Sequence, residues 1–132
     1  MAMTLSGTKA AEVRITPDGK YIFASNRGHN SIVKLSLSNS GGSFIGGVDV
    51  VAWVTWVRGM DVSPDGKYLV VASDSRSDME VNDARTVVQG SGSQPQPMGG
   101  KVIVYAIDLE GKGVLTRAAT LPVPTGCDIS FV

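Results

Sequence analysis

The stretch Val13-Arg14-Ile15-Thr16-Pro17-Asp18-Gly19-Lys20-Tyr21-Ile22-Phe23-Ala24-Ser25-Asn26 returns 47 residues later as Met60-Asp61-Val62-Ser63-Pro64-Asp65-Gly66-Lys67-Tyr68-Leu69-Val70-Val71-Ala72-Ser73. Pro-Asp-Gly-Lys-Tyr is identical in the two copies, and the flanking differences mostly exchange one apolar or small residue for another. Pro presets φ, Asp can bond its own backbone and Gly accepts positive φ, so this turn folds one short strand back on the next. Each copy predicts a β-hairpin. A third, partial copy starts at Gly126-Cys127-Asp128-Ile129-Ser130, which matches Gly59-Met60-Asp61-Val62-Ser63.

The pattern continues outward from the hairpins. In Ile32-Val33-Lys34-Leu35-Ser36-Leu37 the apolar residues 33, 35 and 37 share one face of a strand, with Lys34 and Ser36 on the other. Third strands are expected over 31–37 and 101–108. Turns at Gly41-Gly42 and Gly111-Lys112-Gly113 then lead to fourth strands over 43–50 and 114–120. Four strands per repeat of this length is the period of a β-propeller blade. The predicted fold is therefore all-β, a partial β-propeller of two four-stranded blades plus one inner strand. A blade spans 10–50, a linker 51–57, a second blade 58–120 with an insertion at 75–100, and a further blade begins at 125–132. The insertion is rich in Gly, Ser, Gln and Pro and reads as a solvent-exposed loop. Weak helical character is confined to 79–89. Closed propellers carry about four to eight blades, so the expectation is a ring completed by missing propeller blades or by self-association.

Composition narrows the function classes. The chain has 132 residues, with 12 Lys+Arg against 12 Asp+Glu, which removes the positive field that nucleic-acid or anionic-membrane binding requires. Neither nucleic acid nor membrane is an expected partner. Val, Ile and Thr make up a quarter of the residues, favouring strands over helices. No apolar run approaches the ~18 residues of a spanning helix, and Met1 to Gly7 has neither a basic start nor an apolar core, so a cytoplasmic location is expected. One Cys and one His are too few for an internal disulfide, a cysteine zinc cage or a multi-histidine metal site. Neither metal nor cofactor is expected. Cys127 stands where the repeat has Met60 and reads as a buried, inert thiol.

Ala10-Ala11-Glu12-Val13-Arg14-Ile15-Thr16-Pro17-Asp18-Gly19-Lys20-Tyr21 and Ala24-Ser25-Asn26-Arg27-Gly28-His29-Asn30-Ser31-Ile32 resemble the seven-bladed propeller lactonase family. That family includes the bacterial type of 6-phosphogluconolactonase and the carboxymuconate-cyclising lactonases. Trp56-Val57-Arg58-Gly59-Met60-Asp61-Val62 and Pro122-Val123-Pro124-Thr125-Gly126-Cys127-Asp128-Ile129 extend the resemblance over nearly the whole chain. In order and spacing these tracts are similar to the last two blades and closing strand of such a protein. The insertion at 75–100 is longer than the family's usual turn. The resemblance implies hydrolysis or formation of a lactone without metal, on a sugar-acid or carboxymuconate-type substrate.

The first strand of each blade lines a propeller's channel, and residues just before it reach the channel mouth. Those positions are Ala11-Glu12, Arg58-Gly59 and Thr125-Gly126, equivalent by the repeat. The candidate catalytic residues are Glu12, as general base or acid, and Arg58, whose planar fork suits a carboxylate, a phosphate or a developing oxyanion. The alternative is an exposed Glu12–Arg58 ion pair between blades. Arg14, Arg27 and His29 are candidate substrate-binding residues. Arg14 can instead pair with Asp61 on the neighbouring inner strand, while Arg27 and His29 are placed in the loop after the second strand, on the same rim as Glu12. Trp53 and Trp56 are expected to pack between sheets, with sugar stacking as the alternative. A rival to the enzyme is a non-catalytic propeller fragment presenting its loops to a protein partner.

Overall fold

A computed structural model describes residues 9–38, 43–74, 100–108, 110–123 and 129–132. Eight strands form two four-stranded antiparallel sheets: β1 (Lys9–Ile15), β2 (Tyr21–Arg27), β3 (Ser31–Leu37) and β4 (Phe44–Trp53), then β5 (Val57–Val62), β6 (Tyr68–Ser73), β7 (Gly100–Ile107) and β8 (Leu115–Val123). Strand order in each sheet follows chain order, the up-and-down connectivity of a propeller blade. Two boundaries differ from expectation. Residues 51–53 are strand, not linker, because β3 offers partners as far as Ser31↔Trp53. The last strand runs past 120, because β7 pairs as far as Gly100↔Val123. Most of the 75–100 insertion, the weakly helical 79–89, the Gly41-Gly42 turn, Cys127, Asp128 and the first residues of 125–132 lie outside the described residues.

The two Pro-Asp-Gly turns are built by the same bonds. Asp18 Oδ1 accepts from Thr16 Oγ1 (2.6 Å) and the Lys20 N–H (3.0 Å), and the Gly19 N–H donates to Thr16 O (2.8 Å). In the second copy Asp65 Oδ1 accepts from Ser63 Oγ (2.6 Å) and the Lys67 N–H (3.0 Å), and the Gly66 N–H donates to Ser63 O (2.8 Å). Gly19 and Gly66 sit at φ 71° and 73°, a region that Gly enters without the steric penalty of a Cβ. Hydrogen bonds to an ionised carboxylate favour the charged form. At Asp18 burial acts the other way, but the Thr16 hydroxyl, the Lys20 N–H and the Lys20 charge together hold the carboxyl below its ordinary value. At Asp65 the Ser63 hydroxyl is the main cause of the same downward shift.

Register assigns every side chain to a face. In the first blade one face carries the cross-strand row Arg14–Phe23–Lys34–Asp49, with Tyr21, Ser25, Ile32 and Ala52 beside it. That face packs on the second blade, where Met60, Val62, Leu69, Val71, Ile103 and Tyr105 join Phe23 and Ile32 in one core. Two polar bonds cross the same seam: Tyr21 Oη donates to Gly111 O (3.3 Å), and the Lys34 ammonium donates to Lys112 O. Lys34 is buried and satisfied, since Asp49 Oδ2 lies 3.3 Å from its Nζ and the Tyr21 ring 5.6 Å away. The opposite face of the first blade carries the rows Val13–Ala24–Val33–Val50 and Ile15–Ile22–Leu35–Val48. These apolar rows are not buried like their repeat equivalents: Val13 is 56% exposed against 0% for Met60, and Ile15 is 55% exposed against 8% for Val62.

Candidate functional site at the inner-strand rim

Pairing along the inner strands breaks at the same place in both blades. Between Ala10↔Asn26 and Val13↔Ala24 the first blade has an extra residue in β1, and between Val57↔Ser73 and Gly59↔Ala72 the second has one in β5. Such bulges bend a strand and re-aim its side chains, and they recur at rims and beside active sites. Glu12 lies within the first irregularity and Arg58 is the extra residue of the second. The Glu12 N–H donates to Ser25 Oγ (3.0 Å), which fixes the bulged backbone on β2. Inner strands β1 and β5 are neighbours across the blade seam, so both residues belong to one rim.

Neither residue pairs with the other. Glu12 Oε2 lies 3.0 Å from Arg14 Nη1, an i, i+2 pair on one strand, while Arg58 donates from Nε (3.0 Å) and Nη2 (2.8 Å) to Asp74 Oδ2 at the end of its own hairpin. The interblade Glu12–Arg58 pair is therefore absent, and a link between inner strands is made by Arg14, whose Nε donates to Asp61 Oδ1 at 3.2 Å. Asp61 Oδ2 in turn accepts from the Phe131 N–H (2.8 Å), tying the chain's last described segment to the same carboxylate. Arg58 remains 46% exposed and Glu12 22% exposed at the side chain. At such exposure each ion pair is worth about 0–1 kcal/mol, small enough for a bound anion to displace Asp74 from Arg58.

Arg27 and His29 are more tightly integrated than a loop position suggests. Arg27 is the last residue of β2, not part of the following loop, because β1 supplies it a partner at Lys9. Its Nε donates to Val57 O (2.7 Å) and its guanidinium lies 5.9 Å from the Trp56 ring centroid. Arg27 thus latches one blade to the start of the next. His29 occupies the β2–β3 turn, its Nδ1 hydrogen-bonded to Ser31 Oγ (2.7 Å) and its ring 5.2 Å from that of Trp53. Asn30 and Trp56 adopt φ 58° and 46°. Asn30 tolerates this conformation, whereas for Trp56 it is strained. Both are held by mutual bonds: Asn30 Oδ1 accepts from the Trp56 N–H (3.2 Å) and Asn30 O from the Val54 N–H (2.9 Å). Trp56 is 41% exposed, so it lies over Arg27 at the rim and does not fill the seam between sheets.

The rim therefore brings Glu12, Arg14 and Asp61 together on adjacent inner strands, with Arg27 and Arg58 on either side of Val57. Asp74 and Ser25 are the members that sequence reasoning did not single out. Ser25 was legible as a hydroxyl where the second copy has Ala72, and Asp74 as an acid where the first copy has Arg27, but only the pairing within the second hairpin carries Asp74 back to Arg58. Three carboxylates, of Glu12, Asp61 and Asp74, and three guanidiniums, of Arg14, Arg27 and Arg58, at a partly exposed rim can move a proton and hold an anion.

Two four-stranded blades, related by an internal repeat and sharing one core, make this a propeller-class chain. The description Lactonase, 7-bladed beta-propeller, fits residues 1–85, and the chain belongs to that family. A 6-phosphogluconolactonase of Formosa agariphila is 36% identical over 67 residues, covering 49% of this chain and 19% of that protein. Among solved structures, the periplasmic gluconolactonase of Pseudomonas aeruginosa superposes over 100% of this chain and 31% of its own, with TM-score 0.64 and 20% identity. A protein from Lactobacillus plantarum superposes over 97% of this chain and 31% of its own, with TM-score 0.63 and 19% identity. The chain thus spans about a fifth of the curated relative and under a third of each solved structure.

Proposed function

We propose that these blades form part of a lactonase acting on a sugar-acid lactone, with a 6-phosphogluconolactone-type substrate as the leading case and carboxymuconate-type cyclisation as the reverse-direction alternative. Family membership together with the 36% identical 6-phosphogluconolactonase supports the reaction class. The single observation that supports the residue assignment is the bulge common to the two inner strands, which carries Glu12 in one repeat and Arg58 in the next. In the proposed step the Glu12 carboxylate takes a proton from water as the water oxygen attacks the lactone carbonyl carbon. Arg58 stabilises the resulting oxyanion or holds the substrate's phosphate or carboxylate. Collapse of the tetrahedral species breaks the ring C–O bond, and the proton held by Glu12 passes to the leaving oxygen. Arg14, already on Glu12 Oε2, orients that carboxylate, and Arg27 and His29 border the substrate's path at the rim.

Measuring acid release from gluconolactone and its 6-phosphate tests this reading. Glu12→Gln is expected to lower kcat by about 10²–10⁴-fold, and Arg58→Ala by about 10²–10³-fold, with both variants retaining native circular dichroism. Unchanged turnover in both variants overturns the assignment. The second reading, a non-catalytic propeller module, is favoured by the ion pairs Glu12–Arg14 and Arg58–Asp74, which satisfy both residues within their own blades. It predicts no turnover in the unsubstituted protein.

A further inference from the structure

The proposed lactone chemistry gives Trp56 no task, although the fold holds it at a cost. Its φ of 46° is a conformation that strains a bulky residue, and such strain persists only where the surroundings over-determine it. Three bonds do so here. The Trp56 N–H donates to Asn30 Oδ1 (3.2 Å), Trp56 O accepts from the Asp74 N–H (3.2 Å), and the next carbonyl, Val57 O, accepts from Arg27 Nε (2.7 Å). The indole gains little burial in return, since Trp56 is 41% exposed while Val57 beside it is fully buried. The Arg27 guanidinium, 5.9 Å from the ring centroid, backs the indole. A strained backbone thus keeps a flat apolar ring open at the rim.

The Asp74–Trp56 backbone bond also brings the Arg58–Asp74 pair beside that residue. Arg58 Nε and Nη2 both donate to one carboxylate oxygen, Asp74 Oδ2. Among the described residues Asp74 Oδ1 and Arg58 Nη1 make no hydrogen bond, and the two side chains are 34% and 46% exposed. The pair therefore presents one acceptor and one donor, fixed relative to each other by the fork. A polyhydroxylated ring has the matching surface. Its C–H groups carry partial positive charge that suits the negative face of an aromatic ring, and its hydroxyls donate and accept along the edge. A flat dicarboxylate offers no such C–H face, and the Asp74 carboxylate repels it.

We infer that Trp56, Asp74 and Arg58 form a sugar-ring subsite. The indole stacks on the C–H face of the ring, Asp74 Oδ1 accepts from a ring hydroxyl, and Arg58 Nη1 donates to an adjacent oxygen of the ring. The subsite rests on the lactonase reading for its class of ligand, and it selects a polyhydroxylated lactone over the carboxymuconate type. Asp74 has two parts in it, holding the guanidinium in place and cancelling the charge that would otherwise favour a dicarboxylate.

Two probes test this by ligand-observed NMR with the 132-residue chain: gluconolactam, a sugar ring that does not hydrolyse, and cis,cis-muconate, a flat dicarboxylate. The C–H protons of the lactam are expected to move upfield under the indole ring current, and muconate is expected to bind more weakly than the lactam. Trp56→Asn accommodates the positive φ, keeps the N–H for Asn30 and removes the ring. It should weaken lactam binding about 3–10-fold and abolish the upfield shift, whereas Trp56→Phe should retain a reduced shift. Asp74→Ala should weaken lactam binding about tenfold and strengthen that of muconate, because Arg58 loses its counter-charge. Absence of lactam binding, a lactam complex without the upfield shift, or muconate bound as tightly as the lactam overturns the subsite. So does a Trp56→Asn variant of native circular dichroism that binds the lactam unchanged. Acid release from gluconolactone, followed in parallel, separates the two readings. The ring-current signature without turnover refutes the lactonase and leaves the subsite, and turnover without the signature does the reverse.

Discussion

The two blades share a turn network, a strand order and a bulge, yet they use the same face oppositely. In the second blade Met60, Val62, Leu69 and Val71 form the centre of the core; in the first, Val13, Ile15, Ile22 and Ala24 occupy the same repeat positions and lie open or half-buried. Burial here is a property of position in the stack of blades, not of the blade's own sequence. The comparison also separates what the repeat keeps from what it varies. Equivalent bonds within the two turns agree to within 0.1 Å, as in the 2.6 Å hydroxyl–carboxylate contacts, whereas charges at the rim change from Ala11-Glu12 to Arg58-Gly59. Variation in the turn is limited to residues that keep its bonds, as Thr16 and Ser63 do, while rim side chains are free to specialise.

The largest break in the comparison is expected from truncating equivalent core positions. Met60→Ala should cost about 2–5 kcal/mol, the range for a buried side chain that leaves a cavity. Val13→Ala, at the exposed equivalent, should cost less than about 1 kcal/mol in the monomer. Denaturant unfolding of both variants measures the difference, and equal costs would mean the Val13 face is already covered.

A second contrast concerns two glycines with positive φ. Gly113 (φ 66°) has Lys34 Cδ and Tyr21 Cδ1 each 3.0 Å from the place a Cβ would take, while Gly19 (φ 71°) has nothing within 4 Å. Gly19→Ala should cost about 1–2 kcal/mol from backbone strain alone. Gly113→Ala should cost about 2–4 kcal/mol, because crowding of the seam between blades adds to the strain. Thermal unfolding of the pair separates the two contributions.

The smallest effect is confined to alkaline solution. Tyr105 occupies the position that Leu35 holds in the first blade, and burial pushes its phenol from 10.0 up to about 12. A folded pKa above the unfolded one means that the neutral phenol's contribution is fully present below pH 10 and is lost as pH rises from 10 towards 12. Tyr105→Leu, which gives the second blade the first blade's residue, should remove that part of the alkaline loss, on the order of 2 kcal/mol at most. Stability measured at pH 9 and pH 11.5 in both forms provides the check.

Much of the fold was legible because its signals are local. Pro-Asp-Gly-Lys-Tyr encodes its own hydrogen bonds, and the alternation over Ser31–Leu37 marks a strand at the bounds it adopts. The ends of β4 and β8 were less legible, since a strand continues for as long as its neighbour offers partners. The rim was legible in its residues and not in their pairing. Equivalence by the repeat singled out Glu12 and Arg58, but the bulges that aim them arise from register between strands, and register is a relation between two segments. Arg14 and Asp61 were recognisable as opposite charges at equivalent positions, as were Arg27 and Asp74; that Asp74 holds Arg58 was not.

The sequence by itself determined the blade: its strands, its turns and its period follow from φ preferences and side-chain alternation within some 14 residues at a time. Only the tertiary structure decided which blade face is core and which is open, and which carboxylates Arg14 and Arg58 hold. Stacking sets the first, because equivalent apolar rows are buried or exposed according to whether another sheet lies over them. Proximity between distant segments sets the second, because an ion pair's partner is chosen by a few ångströms of geometry that no local pattern records.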